Sequence, residues 1–285
     1  MEQTYAVNQN DEEIPEFLLK RDDDASSNSN PCKLCNAKTL MQIAVDQSKE
    51  EMVELLLKAY GADVNSLRGP GVLQVSPLHF AVQCLNSEAV ELILNDCVVD
   101  INIVNKCKNS ALHYAVSATV NNIIRQLLNA GVDINLKNVD GTTAFTLKVI
   151  HSQKVNDTIT EHIAKLSAAN FYVNEQNLAV VHRKKFGELR DQCLSEIEKM
   201  KITYVGTSNV TIYNVLCNKC EHKLAVSLSY VSDSTILDLD LQSLFPLYGG
   251  MISYRLQKAL GRKKLLFNAI SLTNDIFDEI QHPNK

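Results

Sequence analysis

One short string returns on a fixed clock, and no other feature limits the fold as tightly. Ser76-Pro77-Leu78-His79-Phe80-Ala81 is echoed by Ser110-Ala111-Leu112-His113-Tyr114-Ala115 and more weakly by Thr39-Leu40-Met41-Gln42-Ile43-Ala44. Thr143-Ala144-Phe145-Thr146-Leu147-Lys148 is the weakest copy. The copies start at 39, 76, 110 and 143, in steps of 37, 34 and 33 residues. A second marker keeps the same phase: Gly61-Ala62-Asp63-Val64-Asn65, then Asp100-Ile101-Asn102, then Gly131-Val132-Asp133-Ile134-Asn135. Two independent markers in phase define a repeating unit of about 33 residues. A unit of that size cannot bury its own apolar face, so several must stack.

Between the markers, apolar residues fall at helical spacing. Residues 51–58 align Val53, Leu56 and Leu57; residues 88–94 align Val90, Ile93 and Leu94; residues 122–128 align Ile123, Leu127 and Leu128. Each pattern predicts an amphipathic helix whose stripe packs on the next unit. Ahead of it, a small hydroxyl residue caps a first helix, and Pro77 suits an initial turn where its missing N–H is not needed. Gly61 and Gly131 stand where a helix needs a left-handed terminator, whereas the second unit has Val98 there and a distorted turn is expected.

These residues resemble the ankyrin repeat, whose signature is the T-P-L-H-x-A box, over residues 36–169. The resemblance implies about four repeats, each two helices and a projecting finger. It also implies that His79 and His113 bond the backbone of a neighbouring turn, a structural role. The 37-residue step places its excess in 66–76, which contains Gly69-Pro70-Gly71, so the first finger is longer and is a contact element. The fourth box has lost Pro, His and the final Ala and reads as a capping repeat, with a helix over 158–169 closing the stack.

From 170 the clock stops. Helical patterns follow over 186–201 (Phe186, Leu189, Cys193, Ile197, Met200), 213–217 and 223–230, and residues 236–241 alternate as a short strand would. A run over 251–280 is the clearest, with Gly261 expected to break it into two helices. Glu196-Ile197-Glu198-Lys199-Met200-Lys201, Tyr213-Asn214-Val215-Leu216, Phe245-Pro246-Leu247-Tyr248-Gly249 and Arg262-Lys263-Lys264-Leu265-Leu266 resemble the PRANC region. That module follows ankyrin repeats in poxvirus proteins and in some proteins of parasitoid wasps and Wolbachia. In that family it ends in F-box-like helices that dock a cullin–RING ubiquitin ligase. Here the sequence ends at Gln281-His282-Pro283-Asn284-Lys285, about where those helices are expected to start. The expected fold is all-α: a flexible or partly ordered segment over 1–35, an ankyrin solenoid over 36–169, and a small helical PRANC-like domain over 170–285.

Composition narrows the function. With 45% hydrophobic and 21% charged residues, the chain is neither disordered nor collagen-like. A net charge of −5 and no Trp argue against nucleic acid as partner. The N-terminus lacks a secretory signal and no apolar run reaches about 18 residues, so no membrane is expected. Eight cysteines in 285 residues are too sparse for a disulfide scaffold and point to an intracellular, cytoplasmic location with nuclear access, where the sequons at Asn156 and Asn209 are silent. No P-loop, dinucleotide fingerprint, metalloprotease or nucleophile-elbow motif occurs, so neither an enzyme nor a cofactor is expected. Cys32-x-x-Cys35 and Cys217-x-x-Cys220 near His222 have zinc-ligand spacing, but lie 182 residues apart, and packing as small hydrophobes is the preferred reading. The basic clusters at 182–185 and 262–264 read as solvated helix faces, and Asp22-Asp23-Asp24 with the serines after it as a linker.

What remains is protein binding through a concave face lined by fingers and first helices. The expected contacts are Leu67, Arg68 and Gln74 in the long finger, Asn105, Lys106 and Lys108 in the second, and Lys137, Asn138 and Asp140 in the third. Gln83, Leu85, Ser117 and Thr119 are expected on the helices beside them. Three readings stand: a host-targeting or IκB-like inhibitory binder that masks a transcription factor such as NF-κB, a substrate receptor of a cullin–RING ubiquitin ligase, and a zinc-stabilised structural module.

Overall fold

The computed structural model describes residues 74–281 apart from 97, 148–152, 182 and 219, together with 45, 53, 64, 65 and 67. The box at 39–44, most of the helix over 51–58, Gly61, most of the long finger including Arg68, the acidic linker, Cys32, Cys35 and His182 lie outside the described residues. Among the described residues the architecture is all helical, with three isolated bridges and no strand. None of its helices is long and apolar enough to cross a membrane.

Two helical pairs come first: α1 (Pro77–Gln83) with α2 (Ser87–Asn95), and α3 (Ala111–Ser117) with α4 (Asn121–Asn129). At two turns each, α1 and α3 are too short to persist alone. They hold because Leu78, Ala81 and Val82, and then Leu112, Ala115 and Val116, are sealed in one core with Val45 and Val53. Ser76 and His79 cap each other: the Ser76 hydroxyl accepts from the His79 N–H, and the ring returns to Ser76. Asn86 starts α2 by accepting from the Ala89 N–H at 2.8 Å. Gly131, at φ +82, ends α4 with N–H bonds from Gly131 to the Leu128 carbonyl and from Val132 to that of Leu127. α2 has no such glycine and ends on an extended Asp96 (φ −67, ψ 129), the distorted turn that Val98 foreshadows.

An asparagine ladder ties the units together. Asn65 accepts from the Asp100 N–H, Asn102 from the Asp133 N–H, and Asn135 from the Asn174 N–H, at 2.7, 2.7 and 2.8 Å. In each full rung the aspartate also accepts from the backbone two residues on, Asp100 from Asn102 and Asp133 from Asn135. Stacking contacts therefore run on to Asn174 and to buried Asn177, whose amide donates to the Ile134 carbonyl at 2.8 Å. The fourth box is reduced to a 3-10 turn, Ala144–Thr146, as its lost signature implies.

α5 (Gln153–Ala168) serves two cores. Val155, Ile159 and Ile163 close the repeat core, whereas Ala164 and Ala168 belong to a second one. α6 (Glu175–Ala179) packs on the 3-10 turn at the end of the repeats. The second core gathers α7 (Arg183–Ile202), α8 (Ile212–Cys217), α9 (Glu221–Ser227), α10 (Asp233–Leu237) and α11 (Leu241–Leu244) under the long α12 (Gly249–Gln281). Two expectations fail here. Residues 236–241 form no strand: Ser232 caps α10 and Asp240 caps α11, so the alternation is of buried Ile236 and Leu241 with capping groups between. α12 runs unbroken through Gly261, because one helical glycine costs only about 1 kcal/mol and buried Leu256, Ala259, Leu260 and Lys263 anchor both sides of it.

α12 crosses the C-terminal ends of the outer helices α2 and α4. The Tyr254 hydroxyl donates to the Leu94 carbonyl at 2.9 Å, and the Lys258 ammonium donates to that of Asp96. Both donors meet the negative end of the α2 dipole. Gly250 lets the start of α12 lie against Asn129, whose side chain a Cβ there would meet at 2.6 Å.

Candidate finger-lined binding face

Two fingers are described, one between α2 and α3 and one between α4 and the 3-10 turn. Each is fixed from inside by the preceding repeat. His79 Nε2 donates to the Asn109 carbonyl at 3.0 Å and His113 Nε2 to the Thr142 carbonyl at 3.3 Å. A carbonyl only accepts, so Nε2 carries the proton; the Ser76 and Ser110 N–H groups donate to the Nδ1 atoms, which are therefore bare. Both rings are neutral. Burial pushes His79 down to about 4, against a smaller opposing effect of its backbone bond, and lowers His113 for the same reason. The structural role expected of both is observed.

Asn105 and Asn138 build the finger tips and do not present them. Asn105 accepts from the Asn109 N–H and donates to the Tyr114 hydroxyl, at 2.9 and 2.8 Å. Asn138 accepts from the N–H groups of Asp140 and Thr142 and from the Thr142 hydroxyl. At 4% and 8% exposure neither is open to a partner, which corrects their place in the expected contact set. Their signal in the sequence is turn chemistry: an asparagine whose side chain satisfies the backbone two to four residues on.

The remaining finger residues stand outward. Lys106, Lys108, Lys137 and Asp140 are exposed, and Val139, missed by sequence reasoning, is 61% exposed. Leu67 and Gln74 are half-buried. Gln83 and Ser117 are exposed at the last positions of α1 and α3. Leu85 and Thr119 are not helical: each follows its helix in the left-handed region, at φ +58 and +56, and closes the turn into the next. Leu85 is exposed and Thr119 half-buried.

The cysteine motif gathers no ligand set. Cys217 ends α8 half-buried and lines a cleft of about 330 Å³ with Val210, Asn214, Asn218, Leu224 and Ser227, while Cys220 precedes α9, exposed. Among the described residues no three His, Cys, Asp or Glu side chains converge on a metal position. The strongly shifted groups are buried core members. His162 is pushed down to about 3 by burial and then by Lys165, and burial drives Cys193 up to about 11. A thiol so shifted is inert.

The family described as ankyrin repeats matches residues 4–102 and 78–165. Among curated proteins, E3 ubiquitin-protein ligase KEG of Arabidopsis thaliana is 30% identical over 146 residues, 50% of this chain and 9% of that protein. Ankyrin repeat and SOCS box protein 6 of Homo sapiens is 35% identical over 119 residues, 38% of this chain and 26% of that one. The chain thus spans only about a tenth and a quarter of the length of these two relatives. Among solved structures, the ankyrin repeat domain of Bcl-3, described as a unique member of the IkappaB protein family, is similar at 28% identity and a TM-score of 0.39. That match covers 47% of this chain and 57% of the Bcl-3 chain.

Proposed function

The chain belongs to the ankyrin-repeat family, and from that premise we propose that it is a non-enzymatic module that binds a partner protein across its concave, finger-lined face. One observation carries the reading. The described fingers are made rigid from within, by His79, His113, Asn105, Asn138 and the asparagine ladder, while their outward side chains take no part in that framework. Preorganised loops lose little entropy on docking, and that is what a recognition surface requires. Site-specific photo-crosslinking tests it. A photoreactive residue at Ser117 or Asp140 should capture a partner that one at Tyr230, on the far domain, does not. Capture from Tyr230 alone overturns the reading.

Within that reading, an inhibitory binder of the IκB type and a host-targeting binder both fit. A substrate receptor of a cullin–RING ligase is the second reading. It draws on the names of two relatives that share the repeats, a ubiquitin ligase and a SOCS box protein, and on the PRANC-like residues around Phe245 and Tyr248. Recovery of a cullin adaptor with the purified full chain would favour it over the first.

A further inference from the structure

The two fingers correspond position by position through their hydrogen bonds. Asn105 N–H donates to the Asn109 carbonyl and Lys108 N–H to that of Asn105; Asn138 N–H donates to the Thr142 carbonyl and Gly141 N–H to that of Asn138. Lys108 therefore stands where the next finger has Gly141, and both are left-handed, at φ +59 and +72. Glycine adopts that conformation without strain; lysine does not. The Lys108 side chain repays nothing inside the fold, for it is exposed and forms no ion pair among the described residues. Leu85 and Thr119 adopt the same conformation to close turns, so the strain at Lys108 marks the position and its neighbours decide the use.

Lys106 and Lys137 are likewise exposed and without an ion pair among the described residues, as are Lys154, Lys199, Lys223 and Lys264; what sets the finger lysines apart is that they stand on adjoining tips. The Val139 N–H donates to the Cys107 carbonyl at 3.0 Å, which draws the two tips side by side. Three unmatched cations and one exposed apolar side chain thus share a strip that also carries Asp140, in a chain of net charge −5. We infer that the finger tips dock an acidic segment of the partner protein, its carboxylates on Lys106, Lys108 and Lys137 and an apolar residue over Val139. This rests on the binding role proposed above and names the chemistry of the ligand. Nucleic acid fits less well: three lysines make a short phosphate track, Asp140 interrupts it, and no aromatic ring stands at either tip to stack a base.

The test uses the full chain and three fluorescein-labelled probes: a peptide of glutamates interspersed with leucine, the same peptide with glutamine for glutamate, and oligouridylate RNA. The acidic peptide should bind, more weakly as salt rises, and the triple variant Lys106→Glu, Lys108→Glu, Lys137→Glu should weaken it about tenfold or more. Lys108→Gly should weaken it about threefold while raising the thermal midpoint, so misfolding cannot explain the loss. Equal binding of the glutamine peptide, tighter binding of RNA, or an unchanged triple variant each overturns the inference. A partner crosslinked at Ser117 or Asp140, with no binding of the acidic peptide, overturns it and leaves the binding role standing. Failure of both assays removes both.

Discussion

The two halves of the molecule solve the same problem differently. In the repeats one polar device recurs at fixed spacing: a histidine holds the next finger, and an asparagine holds the next aspartate's N–H. In the C-terminal half each polar contact occurs once. Glu196 accepts from the N–H groups of Leu247 and Tyr248 just ahead of α12, the Tyr248 hydroxyl donates to the Lys165 carbonyl, and Lys263 bonds the Val231 carbonyl and Asp233. Repetition spreads stability over many small couplings; singular contacts concentrate it. Substitutions in the second half should therefore be more damaging, site for site.

The sharpest test is Gly249→Ala. A Cβ there would sit 2.7 Å from the Leu241 carbonyl oxygen, backbone that cannot step aside, so a loss of about 3 kcal/mol is expected in urea unfolding. Because α5 belongs to both cores, that unfolding should remain a single transition. Two separate transitions would break the picture of halves coupled through a shared helix.

Acid should act next, and on the repeats. His79 is held near 4 in the fold and returns to about 6.5 when unfolded, so the unfolded chain takes up the proton first as pH falls. Its contribution is complete above about 6.5 and disappears between there and 4, amounting to about 3 kcal/mol by order of magnitude. Denaturation midpoints at neutral pH and near 4.5 would measure it. Replacing both His79 and His113 with glutamine should reduce the pH dependence and leave the part owed to buried His162; an unchanged slope would assign all of it to other groups.

A single rung should matter less. Asn102→Ala removes the acceptor of the Asp133 N–H, which is exposed to water, and should lower stability by about 1 kcal/mol. A loss as large as that of Gly249→Ala would show that the ladder, too, concentrates stability. Smallest, and opposite in sign, is Lys108→Gly, expected to raise stability by about 0.5–1 kcal/mol through relief of the left-handed strain. No gain in the thermal midpoint would mean that the position is not strained.

The same contrast governs what could be read in advance. The helices through Val90, Ile93 and Leu94, and through Ile123, Leu127 and Leu128, lie where the periodicity puts them, and His79 and His113 act as the box implies. Each is a local pattern copied at least twice, so one copy checks another. Asn105 and Asn138 mislead because a polar side chain in a finger looks like surface until its turn bonds are seen. Leu85 and Thr119 read as helical in sequence because a left-handed backbone leaves no mark in a residue that is not glycine. The continuity of α12 through Gly261, and its crossing over α2 and α4, depend on partners far away in sequence, and no local pattern encodes those.

That crossing also sets an order of events in synthesis. Leu94 and Asp96 receive their donors from Tyr254 and Lys258, 160 and 162 residues downstream. A chain made from its N-terminus therefore exposes the end of α2 until α12 has left the ribosome. Closing so long a loop is an entropic barrier that nearest-neighbour stacking avoids. The repeats are thus born without their brace, and a helix made some 160 residues later is the one that completes α2.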